Sequence, residues 1–282
     1  MTIIADSGST KTDWMVSAEE SFVVKTQGLN PVLMSSEQMV SILRSELLPQ
    51  IADGLQVDKE LRFFFYGAGV RLEMENKVSE ALKTSLKDVA EKVEVSAASD
   101  LLGAARALCG RREGIACILG TGANSCLYDG QIIVQNTPAL GFILGDEGGG
   151  AALGKAFLNG IFKGSLPVWL RDEYLRESGL TLPDIIRKVY REPMPNRFLA
   201  SLSLFIGQHV DNKDVREMLI ENFRLFFRRN IRPYGRPDLP VSFVGSVAAH
   251  YQELLCEAAL DEGFRMGEVM KSPLNALVGY HS

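Results

Sequence analysis

The sequence feature that most constrains the fold is a strand–turn–strand pattern that occurs twice. It appears first as IIADSGSTKTDWMV and later as ACILGTGANSCLYD. In each copy an apolar strand runs into a turn of glycine and hydroxyl residues, Ser7-Gly8 in the first and Thr121-Gly122 in the second, and another strand follows. Because both copies lie in stretches of mixed strands and helices, the recurrence predicts two related α/β halves.

The pattern of apolar residues along the rest of the chain also supports two α/β halves. In the first half, strands are predicted at 2–6, 12–17, 21–26, 61–66 and 93–97, and helices at 36–50, 73–90 and 100–109. In the second half, strands are predicted at 115–119, 125–128, 131–135 and 241–244, with a long helical stretch up to about residue 232 and a helix at 247–260. We therefore expect a first domain over 1–105 and a second domain over 106–282 that carries a helical insertion. No long final helix is expected to return to the first domain.

Composition and charge exclude several classes of protein. The chain has 282 residues, 46% apolar and 23% charged, which is sufficient for two globular domains. A net charge of −5 without a basic block argues against a nucleic-acid partner. No apolar run reaches the roughly 18–20 residues of a membrane helix. Asp6, Lys11 and Asp13 stand where a signal peptide needs apolar residues, so we expect a cytoplasmic protein without a membrane partner.

The cysteines and histidines form no recognisable metal or disulfide pattern. The four cysteines contain no CxxC pair, and the three histidines are scattered. These residues are Cys109, Cys117, Cys126 and Cys256, and His209, His250 and His281. A zinc site or disulfide scaffold is therefore not predicted, and we expect Cys109, Cys117 and Cys126 to be buried core residues.

The two glycine turns suit a bound phosphate chain. Successive backbone N–H groups in such a turn form a concave anion site, and small side chains let phosphate oxygens approach. The hydroxyls of Ser7, Ser9, Thr10 and Thr121 add donors. Asp6 precedes the first turn and would repel phosphate unless hydrated Mg²⁺ stood between them. An ordinary hairpin explains either turn alone equally well, but two equivalent turns favour a site for the phosphates of ATP.

A third glycine-rich stretch matches a P-loop only in part. GGAALGKA, from Gly149 to Ala156, has the glycines and the lysine of that motif. Ala156 occupies the position of the serine or threonine whose hydroxyl binds Mg²⁺. We therefore interpret residues 151–162 as an ordinary helix with Lys155 in solvent.

Five motifs, in order, resemble those of the N-acetylglucosamine kinase family. They are DSGSTKTD, SDLLGA, LGTGANS, LGDEGGG and FVGS, and together they span nearly the whole chain. That family is related to the activator ATPases of benzoyl-CoA reductase, within the superfamily of sugar kinases, actin and chaperone ATPases. The resemblance implies two ribonuclease-H-like domains of the actin-like ATPase type, with ATP and a sugar in the cleft between them. It also implies an ATP:sugar phosphotransferase that uses ATP and Mg²⁺.

The resemblance further implies a role for particular residues. Asp100 would be the catalytic carboxylate, although from the sequence alone an N-cap aspartate is at least as good an interpretation. From the residues themselves, we expect Asp6 to hold the metal and Glu147 to cap a helix that begins near Gly148. Contacts to ATP are implied for Ser7, Gly8, Ser9, Thr10, Lys11, Gly120, Thr121 and Gly122 on the phosphate side and for Gly245 and Ser246 on the adenosine side. Sugar contacts are implied for Asn30, Gly141 and Asp146.

The substrate and the class of activity stay open at this point. The leading interpretation is a kinase that converts N-acetylglucosamine to its 6-phosphate. Leu140 stands where some relatives have a tryptophan near the sugar, so another hexosamine is an alternative. An ATP-driven conformational switch of the activator type and a sugar sensor without catalysis are further alternatives. Cys109, Cys117 and Cys126 share no obvious loop, which gives the subunit-bridging iron–sulfur cluster of the activators little support. A homodimer is one option that the sequence leaves open.

Overall fold

The computed structural model describes residues 1–8, 11–17, 21–57 and 60–282. This part of the chain forms two compact units, one of Met1–Gly110 with Pro273–Ser282 and one of Arg111–Ser272. Each unit contains one five-stranded sheet. The prediction of two α/β halves is thus confirmed.

The sheet of the first unit combines an antiparallel meander with parallel strands. Its strands are β1 (Thr2–Ser7), β2 (Lys11–Ser17), β3 (Phe22–Gln27), β4 (Glu60–Gly67) and β5 (Lys92–Ser99), in the order β3-β2-β1-β4-β5. β1 pairs antiparallel with β2 and parallel with β4, and β4 pairs parallel with β5. Because β1, β4 and β5 are parallel, their carboxyl ends share one edge, where Ser7 is paired with Gly67 and Gly67 with Ser99.

Helices cover both faces of this sheet. They are α1 (Ser36–Ile42), which continues through a π-helical turn (Leu43–Leu47) into α2 (Leu48–Val57), α3 (Glu75–Leu86) and α4 (Asp100–Cys109). Side chains alternate along a strand, so β1 presents Ile3 and Ala5 to one face and Ile4 to the other. The first face packs with residues of α1 and α3, including Met39 and Leu82.

The second unit repeats this sheet. Its strands are β6 (Gly114–Leu119), β7 (Ala123–Tyr128), β8 (Ile133–Thr137), β9 (Val241–Val244) and β10 (Met266–Met270). They lie in the order β8-β7-β6-β9-β10, with β6 antiparallel to β7 and parallel to β9. Since this is the order of the first sheet with the same strand directions, the two units are structural repeats of each other.

A helical region between β8 and β9 supplies most of the core of the second unit. Its helices are α5 (Gly141–Leu144), α6 (Gly150–Lys163), α7 (Val168–Ser178), α8 (Leu182–Tyr190), α9 (Pro195–Ser201), α10 (Ser203–Gln208) and α11 (Lys213–Phe226). Buried aromatic side chains from α6 and α11, among them Phe157, Phe223 and Phe226, pack with Phe243 of β9. After β9 follow α12 (Ser246–His250) and α13 (Gln252–Asp261), where a single helix was predicted.

The division of the chain differs from the prediction at both boundaries. Residues up to Gly110 belong to the first unit, because α4 continues unbroken past Ala105. After β10 the chain returns to the first unit and forms α14 (Leu274–His281), although no long final helix was expected there. The physical reason is that α14 covers the apolar second face of the first sheet. Leu274 and Leu277 of α14 are buried against Ile4 and Met15 on that face.

No helix among the described residues is long and apolar enough to cross a membrane.

Candidate functional site

Ser7 fixes the end of β1 to its surroundings. Its side chain is 1% exposed, and its Oγ lies 2.7 Å from Oγ1 of Thr12. The N–H of Leu29 donates to the same Oγ at 3.1 Å. The predicted phosphate donor is therefore occupied by contacts within the first unit, and its role in this structure is to hold the chain after β3 beside the first turn.

Gly8 is the exposed start of the first turn. Its N–H donates to the carbonyl oxygen of Lys11 at 2.9 Å and so closes the turn. Ser9 and Thr10 lie outside the described residues. Gly8 does not adopt a left-handed backbone, and a Cβ there would meet only the oxygen of Lys11, at 3.7 Å, within the described chain. Neither backbone conformation nor packing within those residues therefore demands a glycine at this position.

Carboxylates collect near this turn. Asp6 is the cross-strand partner of Asp13, whose Oδ2 lies 2.5 Å from Nζ of Lys11. Oδ1 of Asp13 is buried and has no hydrogen-bond partner among the residues that the structure describes. Burial raises the pKa of Asp6 to about 6, and the carboxylates of Asp100 and Asp13 raise it as well. Three carboxylates therefore lie close together beside the first turn, and that of Asp13 is paired with Lys11.

Asp100 begins α4 directly after β5. The N-cap of α4 is Ser99, whose Oγ accepts from the N–H of Leu102 at 3.2 Å. The interpretation of Asp100 as the N-cap is therefore wrong. Asp100 instead accepts from the N–H of Leu101 through Oδ1 at 2.9 Å, and burial raises its pKa.

Asn30 lies in the turn that follows β3. Its side chain is 9% exposed, and its Oδ1 accepts from the N–H of Val32 at 3.0 Å. Gly69 approaches so closely that a Cβ there would lie 2.5 Å from that oxygen. Nζ of Lys77 in α3 donates to the carbonyl oxygens of Pro31 and Met34, at 2.6 Å each.

Lys77 was not predicted as a site residue, because no local signal separates it from the other charges of its helix. Only the folded chain places its ammonium group on the turn that carries Asn30.

The second turn is held by the start of α6. The N–H of Gly150 donates to the oxygen of Gly120 at 2.8 Å, and the N–H of Ala151 donates to the oxygen of Thr121 at 2.9 Å. Within the turn, the N–H of Gly120 donates to the oxygen of Gly122 at 3.0 Å. Thr121 itself is exposed. The first N–H groups of α6 are therefore used to fix the turn.

The LGDEGGG motif packs directly on this second turn. Oδ1 of Asp146 accepts from the N–H of Ala123 at 3.2 Å, and burial raises the pKa of Asp146. A Cβ on Gly149 would lie 2.7 Å from the carbonyl carbon of Gly122. The glycine at 149 is thus required by a close approach of two backbones, which the separate motifs do not reveal.

Two expectations for this motif need correction. Glu147 does not cap a helix: its carboxylate pairs with Arg229 at 2.7 Å, and the N-cap of α6 is Gly149. Lys155 is not a solvated side chain, because its Nζ donates to the carbonyl oxygen of Phe142. α6 also follows a loop and α5 rather than a strand, which supports the rejection of the P-loop.

The loop around Gly141 is strained and apolar. Leu140 and Asp146 adopt the left-handed backbone, with φ of 61° and 58°, which side chains other than glycine rarely do. The N–H of Asp146 donates to the oxygen of Ala139 at 3.1 Å and closes the loop at its base. Gly141 is exposed, as are the side chains of Leu140, Ile143 and Leu144.

Gly245 lies at the carboxyl end of β9, and the exposed Ser246 begins α12. Gly245 has φ of 129°, and a Cβ on it would lie 2.2 Å from the oxygen of Leu119. Glycine is required here by both backbone conformation and close approach.

Most of the predicted site residues that the structure describes gather, within each unit, at the carboxyl edge of its sheet. In the first unit these residues are Asp6, Ser7, Gly8 and Asp100, with Asn30 on the segment tied to Ser7. In the second unit they are Gly120, Thr121, Gly122, Asp146 and Gly245. Ligands of open α/β sheets bind at this end of the strands.

One solved structure matches this chain over its entire length. A provisionally assigned N-acetylglucosamine kinase from Porphyromonas gingivalis is 47% identical to this chain, with a TM-score of 0.93, over 100% of this chain and 98% of that one.

Two more distant structures share the fold. A provisionally assigned N-acetylglucosamine kinase from Chromobacterium violaceum is 17% identical, with a TM-score of 0.71, over 99% and 98% of the two chains. An ethanolamine utilization protein from Carboxydothermus hydrogenoformans is 14% identical, with a TM-score of 0.52, over 97% and 86%. No protein-family model and no curated protein matches the chain.

Proposed function

The chain belongs to the N-acetylglucosamine kinase family, and on that premise we propose that it transfers the terminal phosphoryl group of ATP to an amino sugar. N-acetylglucosamine is the first candidate, with the 6-phosphate as product. The observation that carries the proposal is the 47% identity with the Porphyromonas gingivalis protein over the full length of this chain. The carbohydrate-kinase class follows from that membership, and the particular sugar is the part that needs an experiment.

Asp100 is the proposed general base. The attacking sugar hydroxyl gives its proton to the carboxylate while its oxygen bonds to the γ-phosphorus, and the bond from that phosphorus to the oxygen of ADP breaks. Two observations support the role: Asp100 is not needed as the helix cap, and its raised pKa makes the carboxylate a better proton acceptor than an exposed aspartate.

The glycine turns are the proposed phosphate sites. In the first turn, two observations support contacts to the phosphates. A Cβ on Gly8 would meet only the oxygen of Lys11 among the described residues, and Lys11 itself is exposed. The same role is proposed for Gly120, Thr121 and Gly122 of the second turn, where a Cβ on Gly120 would meet no described atom within 4 Å. Gly245 and Ser246 are the proposed adenosine contacts. Ser7 would serve by holding the first turn in place, since its hydroxyl is already bonded.

The residues near the first turn fit a hydrated Mg²⁺ ion. No group of three or more metal-ligand side chains occurs in the described chain, so direct coordination by a full protein cage does not fit. A single carboxylate with water ligands does, and Asp6 is that carboxylate. Oδ1 of Asp13 is buried without a hydrogen-bond partner among the described residues, and it would accept from one of the water ligands of the ion. The ion would supply charge neutralisation for the phosphates.

Sugar binding is proposed for Asn30, Gly141 and Asp146. A carboxylate accepts from hydroxyl groups, and an amide both donates and accepts. Oδ2 of Asp146 lies beside Gly122, so a sugar held by Asp146 would lie next to the second turn. The Asn30 turn is braced by Lys77, which would keep the amide in place when the sugar arrives.

An ATPase switch of the activator type is the competing function. Cys109, Cys117 and Cys126 are buried, as predicted, and Cys256 is half-buried. Because the thiols of Cys109, Cys117 and Cys126 are buried, they are unsuited to bind an iron–sulfur cluster that is shared with a second subunit.

The deciding experiment measures ADP release with N-acetylglucosamine, other hexosamines, muramic derivatives and plain hexoses. Release that requires one amino sugar supports the kinase. Slow release at the same rate with and without every sugar would overturn it in favour of the switch.

A further inference from the structure

A polar cluster outside the proposed site joins α4 to the first sheet. Oη of Tyr66 in β4 lies 2.7 Å from Nε2 of His281 in α14 and accepts from Nη1 of Arg106 in α4 at 2.8 Å. A guanidinium group can only donate, so the proton of the Tyr66 hydroxyl is available to His281. One hydroxyl group therefore joins a strand, α4 and the C-terminal helix.

Aromatic contacts reinforce this cluster. The ring of His281 stacks on Phe64, with centroids 3.6 Å apart and planes inclined by 16°. The guanidinium group of Arg106 lies over the rings of Tyr66 and Tyr280, at 5.8 Å and 5.4 Å from their centroids. Such cation–π contacts add to the hydrogen bond and restrict where the guanidinium group can lie.

The same tyrosine also sets the position of α4 on the sheet. A Cβ on Gly103 would lie 2.7 Å from Cγ of Tyr66, so α4 rests on the tyrosine ring at its glycine. Three residues of α4 follow one another at intervals of three positions: Asp100, Gly103 and Arg106. They therefore lie on adjoining parts of one side of the helix. Tyr66 contacts two of these three positions, and the third is the proposed base.

Tyr66 lies close to the proposed metal ligand as well. It is the parallel register partner of Asp6, so the two side chains project from the same face of the sheet. The carboxylates of Asp6 and Asp100 interact electrostatically. A shift of α4 along Tyr66 would thus change the distance between the proposed base and the proposed metal ligand.

From these contacts we infer that Tyr66, Arg106 and His281 are positioning residues, which set the place of Asp100 by locking α4 between β4 and α14. The inference rests on the proposed function of Asp100. It assigns to the C-terminal helix a task in the reaction beyond covering the second face of the sheet. Displacement of a catalytic group by about 1 Å can reduce turnover by up to 10²-fold, so a small loosening of α4 would be measurable.

The test compares Tyr66→Phe with Tyr174→Phe. The first variant removes the shared hydroxyl and keeps the ring under Gly103. The second removes the hydroxyl of Tyr174, a buried residue of the second unit, and it serves as the matched control. We expect Tyr66→Phe to lower kcat by about tenfold while KM for ATP and sugar changes less than about twofold, since positioning acts on the reacting geometry. Tyr174→Phe should leave kcat unchanged.

His281→Ala and the double variant give a second readout. His281→Ala should lower kcat to a similar extent. The kcat of the double variant with Tyr66→Phe should be little lower than that of either single variant, because both substitutions break the same hydrogen bond between Tyr66 and His281. Equal kcat in Tyr66→Phe and Tyr174→Phe, or a multiplicative loss in the double variant, would overturn the inference.

Hydrogen exchange distinguishes failure of the positioning inference from failure of the proposed kinase function. The backbone amides of α4 should exchange faster in Tyr66→Phe than in Tyr174→Phe, without any substrate. If no sugar supports turnover by the wild-type protein, the kinase proposal fails and the exchange comparison still decides whether the cluster holds α4. Identical exchange in both variants would contradict the inference.

Discussion

Gly122 and Asp146 are in such close contact that a Cβ on the glycine would lie 2.7 Å from Oδ2 of the carboxylate. Oδ1 of the same aspartate accepts from the N–H of the next residue, Ala123. The second turn and the LGDEGGG loop therefore form one structure, and a change in either is transmitted to the other.

Gly122→Ala should disturb this structure before any ligand binds. The added methyl group displaces Asp146, so we expect a lower midpoint of thermal unfolding and weaker binding of both Mg-ATP and sugar. Gly120→Ala is the control, since its methyl group would meet no atom of the described residues within 4 Å. That variant should unfold like the wild type and lose only nucleotide affinity, measured by calorimetry. Full Mg-ATP affinity in Gly120→Ala would contradict the assignment of the second turn to the phosphates.

Gly8→Val tests the first turn. Neither a left-handed backbone nor a close contact with described residues requires the glycine, so the variant should fold normally. A branched side chain at the proposed phosphate site should nevertheless weaken Mg-ATP binding by tenfold or more, on the order of 1.4 kcal/mol. Calorimetry with Mg-ATP and a thermal unfolding curve measure the two quantities. Unchanged affinity would show that no phosphate approaches Gly8.

Lys77→Met tests the brace on the Asn30 turn. Loss of two hydrogen bonds from one ammonium group frees the carbonyl oxygens of Pro31 and Met34 and should loosen the turn. We expect KM for the sugar to rise about tenfold, with KM for ATP unchanged, because only the sugar contact depends on this turn.

Lys83→Met in the same helix is the matched control for that variant. Within the part of the chain that the structure describes, the one ion pair of Lys83 is an exposed contact with Glu80, so its loss should change neither constant. A rise of KM for ATP equal to that for the sugar in Lys77→Met would refute the specific role.

Local patterns predicted much of this fold. The two hairpins were recognisable because alternating apolar residues and glycine turns are properties of neighbouring residues. β10 was missed because MGEVM has no clear alternation and forms a strand through its pairing with β9. α14 was missed as an element of the first unit because its apolar residues are buried by β1 and β2, which lie far away in sequence.

In the site, too, local features could be predicted from the sequence and contacts between distant segments could not. The residues of each glycine turn could be named from the sequence, but their partners could not. The contact of Lys77 with the Asn30 turn and the pairing of Glu147 with Arg229 join distant segments. Asp100 was equally consistent with a base and a helix cap until the structure assigned the cap to Ser99.

Asp100→Asn measures the central claim most directly, with Ser99→Ala as the control. Asparagine preserves the size of the side chain and an oxygen for the N–H of Leu101, but it cannot accept the sugar proton. Ser99→Ala removes the true cap and should cost about 1 kcal/mol of stability with kcat within a fewfold of wild type. With the sugar that supports ADP release, we predict that Asp100→Asn lowers kcat by about 10²–10⁴-fold while Mg-ATP and sugar still bind. Near-normal kcat in Asp100→Asn would contradict the account and direct attention to Asp146.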